Sequence, residues 1–486
     1  MAAPPVSPSY SPRERTALVF TGTGTAGAYH AGVLKALVEA GVRVDLVAGR
    51  GMGAVTAMFA AVDAAGQLWE PAGAWCGRPG PRGLYAWRRP WRVLAAAVLA
   101  SVGVMALPLA ALLVLAVIYP LCLAVMLASP TTGGALMDRW YGATAFVVGP
   151  SMLASVVPRL VTLAFLVAVG TAFALYVRAK MRAGPARHTR GALWWHVLGA
   201  PLDGEGALHW ALQAFWRFVR GATTIAQPAD DDLGRRYAEL LGESLGQPTY
   251  RELMIAAHDL DSRRDIVFAH VSDSWRKLVA ERSGGAGGDF VDLASSLRAH
   301  VVDAIAAALA PALVAEPRHV TFAPDSHWRG ETHRLIDRPG SITRLLQAVA
   351  DAGATQVILV SATAPRLHPH ELARPPFHPR ERIAETLDAL ESAAVDDAVR
   401  VMAGRFGALF TIRPVHNPVG AFAFSGRHDE RSDRFVTLSE LVDRGFDDAY
   451  RQFLEPVIGA SGEQIHGVTV LTRTPDPETL RFKQQA

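Results

Sequence analysis

Two cysteines in 486 residues, Cys76 and Cys122, are too few for a disulfide framework, and their spacing matches no metal site. An excess of one charge is missing too. Forty-eight Lys and Arg stand against 45 Asp and Glu, a net charge of +3, so nothing in the bulk electrostatics points to nucleic acid. The first fifteen residues, MAAPPVSPSYSPRER, lack the apolar core of a secretion signal and read as a disordered tail, residues 1–15. No internal repeat is visible. Most telling, charge of either sign is absent from Val93 to Ala128 and again from Leu160 to Val177.

What is present is apolar. Half the residues are hydrophobic, and mean hydropathy is +0.18. A spanning helix needs roughly 20 apolar residues, so each uncharged run is long enough. Arg78, Arg82, Arg88, Arg89 and Arg92 precede the first run, and Arg178, Lys180, Arg182, Arg187 and Arg190 follow the second. Between the runs lie only Asp138, Arg139 and Arg159. Positive flanks mark the cytoplasmic side, which predicts an even number of crossings, two, within an insertion over residues 76–190. Trp87, Trp91, Trp140 and Tyr141 would sit at the interfaces. Residues 191–240 are aromatic and partly amphipathic; a surface-lying segment and an ordinary core helix pair both fit. An Ala-, Arg- and Gly-rich composition resembles that of a high-GC bacterium, which gives an expected location in the inner membrane with the remaining domain in the cytoplasm.

Residues 16–62 alternate as strand, Gly-rich turn, helix, strand and helix, a unit expected of a parallel sheet covered by helices. The turn Gly22-Thr23-Gly24-Thr25-Ala26-Gly27 matches G-x-G-x-x-G. Alone that match is weak, and Asp45 falls inside the next strand rather than at its end, so a nucleotide site is disfavoured. Amides at such a turn can equally hold an oxyanion. The second strand runs into Gly49-Arg50-Gly51-Met52-Gly53, the spacing of a nucleophile elbow, G-x-S-x-G, with glycine where the serine belongs.

Further on, residues 248–271 offer a strand, and SSLRAHVVDAIAAALAPALVA has helical periodicity. Residues 333–363 read as loop, helix and strand. His368, His370 and His378 cluster in a Pro-rich loop, but their spacing fits no ligand set and arginines surround them, so no metal is expected.

Taken in order, these pieces resemble the patatin-like phospholipase family. LVFTGTGTAGAYHAGVLKALVEAGVRVDLVAGRGMGAVTA follows that family's strand, oxyanion loop, helix and elbow, and RLIDRPGSITRLLQAVADAGATQVILV follows the segment bearing its catalytic aspartate. The resemblance implies an α/β patatin-like fold, a parallel-sheet sandwich covered by helices and interrupted by the insertion. Its N-terminal part would be residues 16–75 and its C-terminal part residues 241–486. It also implies a Ser–Asp dyad, with Asp337 as the aspartate and Gly51 at the vacant nucleophile position. Gly22 to Gly27 would form the oxyanion loop, with Gly49 and Gly53 flanking the elbow.

Three departures accompany the missing serine. Thr23 and Ala26 replace loop residues, and Arg338-Pro339 follow the aspartate where glycines are usual. Thr21, Thr23, Thr25 and Ser361 are the hydroxyls that could stand in, and none sits on the elbow. The expected function is a membrane-anchored protein that acts on or binds lipid acyl esters, with catalysis impaired by Gly51 at the nucleophile position. An acyl hydrolase with another nucleophile and an interaction scaffold are the alternatives. The expected partner is membrane lipid or an acyl chain, with no nucleic acid, no cofactor and no named protein.

Overall fold

A computed structural model describes residues 10–458, apart from 78–79, 82, 151–155, 183–198, 222, 283–288, 325, 366–377, 418 and 430. His368, His370, Trp194 and Trp195 therefore lie outside the described residues. The chain forms two compact units. One combines Met1–Ala86 with Leu202–Ala486, and the other is Trp87–Pro201.

The first unit is built on a mixed sheet. Strand β1 (Thr16–Thr21), helix α1 (Ala26–Glu39), β2 (Leu46–Gly49) and α2 (Met52–Ala61) appear in the predicted order, with a short helix α3 (Gly66–Trp69) after them; β2 starts only at Leu46, so Asp45 precedes the strand rather than lying inside it. β1 and β2 are buried at every position, which suits uninterrupted Val, Leu and Ala.

The second unit carries α4 (Arg89–Ala128), α5 (Pro130–Val148) and α6 (Val157–Arg182). The first unit then resumes with α7 (Glu205–Arg220), α8 (Asp230–Ser244), β3 (Glu252–Asp259), β4 (Arg264–His270), α9 (Asp273–Arg282), β5 (Phe290–Asp292) and α10 (Val301–Ala308). It ends with β6 (Arg318–Thr321), β7 (Thr332–Ile336), α11 (Ser341–Asp351), β8 (Gln356–Ser361), α12 (Pro379–Met402), β9 (Ala408–Ile412), the small hairpin β10 (Arg427–Asp429) and β11 (Arg434–Val436), and α13 (Leu438–Ala449).

Strand order is β5-β4-β3-β2-β1-β8-β9, with β7 against β3 and β6 against β7. β1, β2, β3, β8 and β9 run parallel, whereas β4 returns antiparallel to β3. Residues 248–271, read as one strand, are thus a hairpin, and HRLI, read as loop, is β7.

One register positions the site. β2 pairs with β3 only as far as Gly49 opposite Ile255, so β3 runs on past it. β4 fills the other edge of β3 along its length. β7 takes the place beyond β2, pairing Ile336 with His258. Asp337, the next residue, arrives where β2 turns into α2. Beneath lies an apolar core of sheet residues such as Val19, Ala48, Met254 and Leu359, packed on Leu345, Leu346 and Val395 of the covering helices.

α7 buries Ala207, Leu208, Ala211, Leu212, Phe215 and Trp216. Its apolar stripe is packed within the first unit.

In the second unit, α4 continues through Pro108 and Pro120 without a break. The stretch between the two uncharged runs is helical too. α5 doubles back on α4: Trp140 Nε1 donates to Leu115 O at 2.7 Å, Tyr119 and Trp140 rings meet at 4.9 Å, and Gly133 lies so close that an added Cβ would fall 2.1 Å from Met126 Cα. α4 also packs against α6. Its covered residues form one stripe, including Val93, Ala97, Ser101, Val104, Pro108, Ala111 and Leu115. The rest of its surface is apolar and open, with Leu99 71 %, Val117 77 % and Leu127 78 % exposed.

Candidate active site

The elbow is present in shape. β2 ends at Gly49, α2 starts at Met52, and Gly51 between them has φ +59° and ψ −139°, a left-handed position that suits glycine. Gly49 and Gly53 allow strand and helix to meet. A Cβ on Gly49 would stand 2.3 Å from Gly53 O, and one on Gly53 would stand 2.4 Å from Phe20 O.

Asp337 and Gly51 do come together, since a Cβ at Gly51 would lie 3.2 Å from Asp337 Oδ2. The sequence-predicted positions are therefore one place in space, and Arg50 shares it. Arg50 Nε donates to Asp337 Oδ1 at 2.9 Å, and Nη2 donates to Oδ2 at 2.9 Å. This is a planar fork in which both carboxylate oxygens face the guanidinium. Arg50 Nη1 donates to Thr21 Oγ1 at 3.1 Å and also to Glu391 of α12. Thr21 Oγ1 in turn donates to Glu391 Oε1. Arg50 is 0 % exposed and Asp337 and Glu391 are 2 % each.

The electrostatics follow. Burial works against the Arg50 charge, but the carboxylates of Asp337 and Glu391 outweigh it and hold the guanidinium above its ordinary range. Burial pushes the Asp337 carboxyl up against the pull of Arg50. The fork takes one lone pair on each oxygen of Asp337 and leaves the others facing Thr23.

The Gly22–Gly27 loop is occupied as well. The Met52 amide, just past the elbow, donates to Gly22 O at 2.8 Å. Thr25 N donates to Ala421 O at 2.9 Å, and Thr25 Oγ1 donates to Gly420 O at 3.0 Å. Gly24, at φ +60°, approaches the same segment so closely that a Cβ would fall 1.9 Å from Ala421 O. Gly27 is pressed on Trp75 and Met52, and Ala26 is buried at the start of α1. Tyr85 lies over this end of the sheet, its ring 5.2 Å from Phe422. Behind the loop, burial drives the His30 pKa down to about 3, so its imidazole is neutral and Nε2 can donate to Thr21 O at 3.1 Å.

Of the alternative hydroxyls, Thr21 is spent on Glu391 and Ser361 meets Thr363 at 2.9 Å. Thr23, half-buried, reaches Asp337. Arg338 donates to Asp265 Oδ2 at 2.9 Å and Ser341 to Oδ1 at 2.7 Å, so the segment after Asp337 is fastened to β4. Asp45, weighed for a ribose, instead accepts from Thr16 N at 2.9 Å. Among the described residues no cluster of His, Cys, Asp and Glu could hold a metal.

Sequence reasoning missed Arg50 and Glu391. Arg50 did leave a signal, being the one charged residue between Asp45 and Asp63. A lone charge in a buried strand–turn–helix needs a buried counter-ion. Glu391 left none, since α12 carries acids on several faces.

Residues 18–115 match the family model of patatin-like phospholipases, a span from β1 into α4. Over that span the chain is similar to the patatin-like family. Among solved structures, VipD from Legionella pneumophila is similar at 12 % identity, covering 92 % of this chain and 68 % of that one, with a TM-score of 0.30. No curated protein matches.

Proposed function

We propose that this chain is a non-hydrolytic patatin-like protein that binds lipid at a membrane into which its helical unit inserts. The family ties the α/β unit to lipid acyl hydrolase chemistry or lipid binding. The observation that carries the choice is the Arg50–Asp337 fork beside Gly51. There the guanidinium grips the carboxylate that would act as base, and glycine stands where the nucleophile would be. Insertion is supported by α4, whose 40 residues are apolar on their open faces. At about 1.5 Å per residue it is roughly 60 Å long, about twice the hydrocarbon thickness, so it reaches across with length to spare. The arginines at its start favour a cytoplasmic α/β unit.

The test is ester and phospholipid hydrolysis by detergent-purified wild type beside Asp337→Ala. The expected result is no turnover in either, with phospholipid retained through purification. Turnover abolished by Asp337→Ala would overturn the reading. Gly51→Ser alone should stay silent, because the new Cβ would meet Gly22 O at 2.3 Å and Asp337 would remain forked to Arg50.

One observation favours a second reading. Thr23 is partly open and hydrogen-bonded to Asp337, which would make it the nucleophile of an unorthodox hydrolase. Labelling by a fluorophosphonate in wild type, lost in Thr23→Val, would support that reading against ours.

A further inference from the structure

Leu313 is not explained by the fold that carries it. It is 86 % exposed, more open than any other large apolar side chain among the described residues. Its φ is +64°, a left-handed conformation that is strained for a bulky side chain. Among the described residues the other non-glycine residues in that region are Asp63, Tyr85, Arg263, Arg329 and Asp433, so Leu313 is the lone aliphatic one there. Single exposed leucines are common on protein surfaces. A strained one held in place on several sides is not.

The segment Ala310–Ala315 is fastened to two landmarks. On one side it meets the site: Asp337 N donates to Ala310 O at 2.8 Å and Ala312 N donates to Asp337 O at 3.2 Å. On the other side it meets the point where the chain leaves the α/β unit and returns. Leu202 N donates to Val314 O at 2.9 Å, and Asp203 N donates to Ala86 O at 3.0 Å. Tyr85 Oη donates to Leu309 O at 2.8 Å. From Ala86 the chain has only two more residues before α4 begins at Arg89. Taking about 3.5 Å per extended residue and 1.5 Å per helical one, the uncharged run starting at Val93 lies within roughly 16 Å of this exit.

We propose that the Ala310–Ala315 loop is a bilayer contact. Leu313 enters the acyl region of the membrane that receives the helical unit, and the loop seats the Gly51–Asp337 end of the sheet on the lipid surface. The occupant is lipid rather than protein because the chain leaving at Ala86 enters an uncharged run of bilayer length seven residues later. Arg88, Arg89 and Arg92 lie in the chain between that exit and the uncharged run, and their charge suits anionic headgroups. The inference rests on the membrane reading above.

The experiment uses the full chain with Cys76 and Cys122 replaced by alanine. Single cysteines at Leu313→Cys, Leu99→Cys and Val401→Cys are labelled with an environment-sensitive dye, and the protein is reconstituted in phosphatidylcholine–phosphatidylglycerol vesicles containing nitroxide lipid. Val401 is an exposed control. Arg380, near the start of α12, donates to Leu84 O at 3.0 Å beside the exit, and Val401 is 21 residues further along, roughly 32 Å away.

The expected result is strong quenching at 99 and at 313, with 313 quenched at least threefold more than 401. Quenching at 99 with 313 no different from 401 would overturn the loop contact and leave the membrane reading intact. Absence of quenching at all three would remove both. Blue-shifted emission at 313 without quenching would assign the loop to a protein partner or a second copy, and would also overturn the proposal. Leu313→Gly should raise the melting temperature, by about 2–4 °C, because glycine relieves the left-handed strain. A fall would mean that the leucine serves the fold and not the bilayer.

Discussion

α2 and α4 are both apolar on every face, yet one is fully buried and the other largely open. Every residue of α2 from Met52 to Ala61 is buried between sheet and helices. α4 covers a single stripe and leaves leucines and valines on its outside. An all-round apolar helix says only that its surroundings are apolar. Length separates the cases, since ten residues fit a domain core and 40 do not. The α/β unit keeps its greasy residues inside and draws the charge of Arg50 in with them; the helical unit presents them outward.

That contrast is broken hardest at Arg50. Arg50→Ala would leave Asp337 and Glu391 buried without their cation, a loss of about 3–5 kcal/mol to the α/β unit. Leu113→Ala, on the open face of α4, should leave that unit unchanged. Thermal unfolding read by protease cleavage, with sites mapped to each unit, distinguishes the two. Equal cleavage of wild type and Arg50→Ala across the α/β unit would show that the fork holds nothing together. Arg50→Met combined with Asp337→Asn should recover part of the loss, because one carboxylate no longer needs a partner.

Glycines sharpen the same comparison at smaller energy. Gly53→Ala drives a Cβ to 2.4 Å from Phe20 O and should cost about 1–3 kcal/mol. Gly103→Ala, with nothing within 4 Å, should be neutral or stabilise α4 by up to about 1 kcal/mol. Gly133→Ala should behave like Gly53→Ala despite lying in the helical unit, because it faces Met126. Melting curves of the three variants in one detergent decide this. A harmless Gly133→Ala would mean that α5 does not pack on α4 as closely as the structure has it.

These cases also indicate what the sequence could carry. The βαβα start was legible because its apolar runs and glycines agree at every level. The meeting of Gly51 and Asp337 was legible only through family resemblance, since 286 residues separate them in the chain. The β3–β4 hairpin was hidden because its turn puts Arg263, not glycine, at φ +59°. β7 was hidden by its polar residues: His333 is buried and paired with Asp259 at 2.5 Å, so it reads as loop from composition alone. α5 was masked by Gly133-Gly134 and Asp138-Arg139, which suggest a connection between spans. Nothing in the sequence disclosed that Asp337 would be bound rather than poised.

The smallest effect expected is a pH dependence confined to one unit. Burial, with Glu391 and Glu385 adding to it and the Ala421 amide opposing, pushes Asp388 of α12 up to about 7. Its ordinary value is near 4, so between pH 4 and 7 the folded state holds a proton that the unfolded state has released. Stability from this group is complete below about pH 4 and falls as pH rises through 7. Asp429 runs the other way. Burial would raise it, but the hydrogen bonds from His416 and Ser432 prevail and hold it at about 2, so its contribution exists above about pH 4 and is lost as pH falls toward 2. Asp388→Asn should therefore flatten the decline between pH 4 and 7, whereas Asp429→Asn should lower stability evenly above about pH 4 and leave that slope unchanged. The helical unit carries a single carboxylate, Asp138, and its melting should not move over that range. A titration of both units with identical slopes would mean that the acids of α12 are solvated, and that the buried cluster around Arg50 admits water.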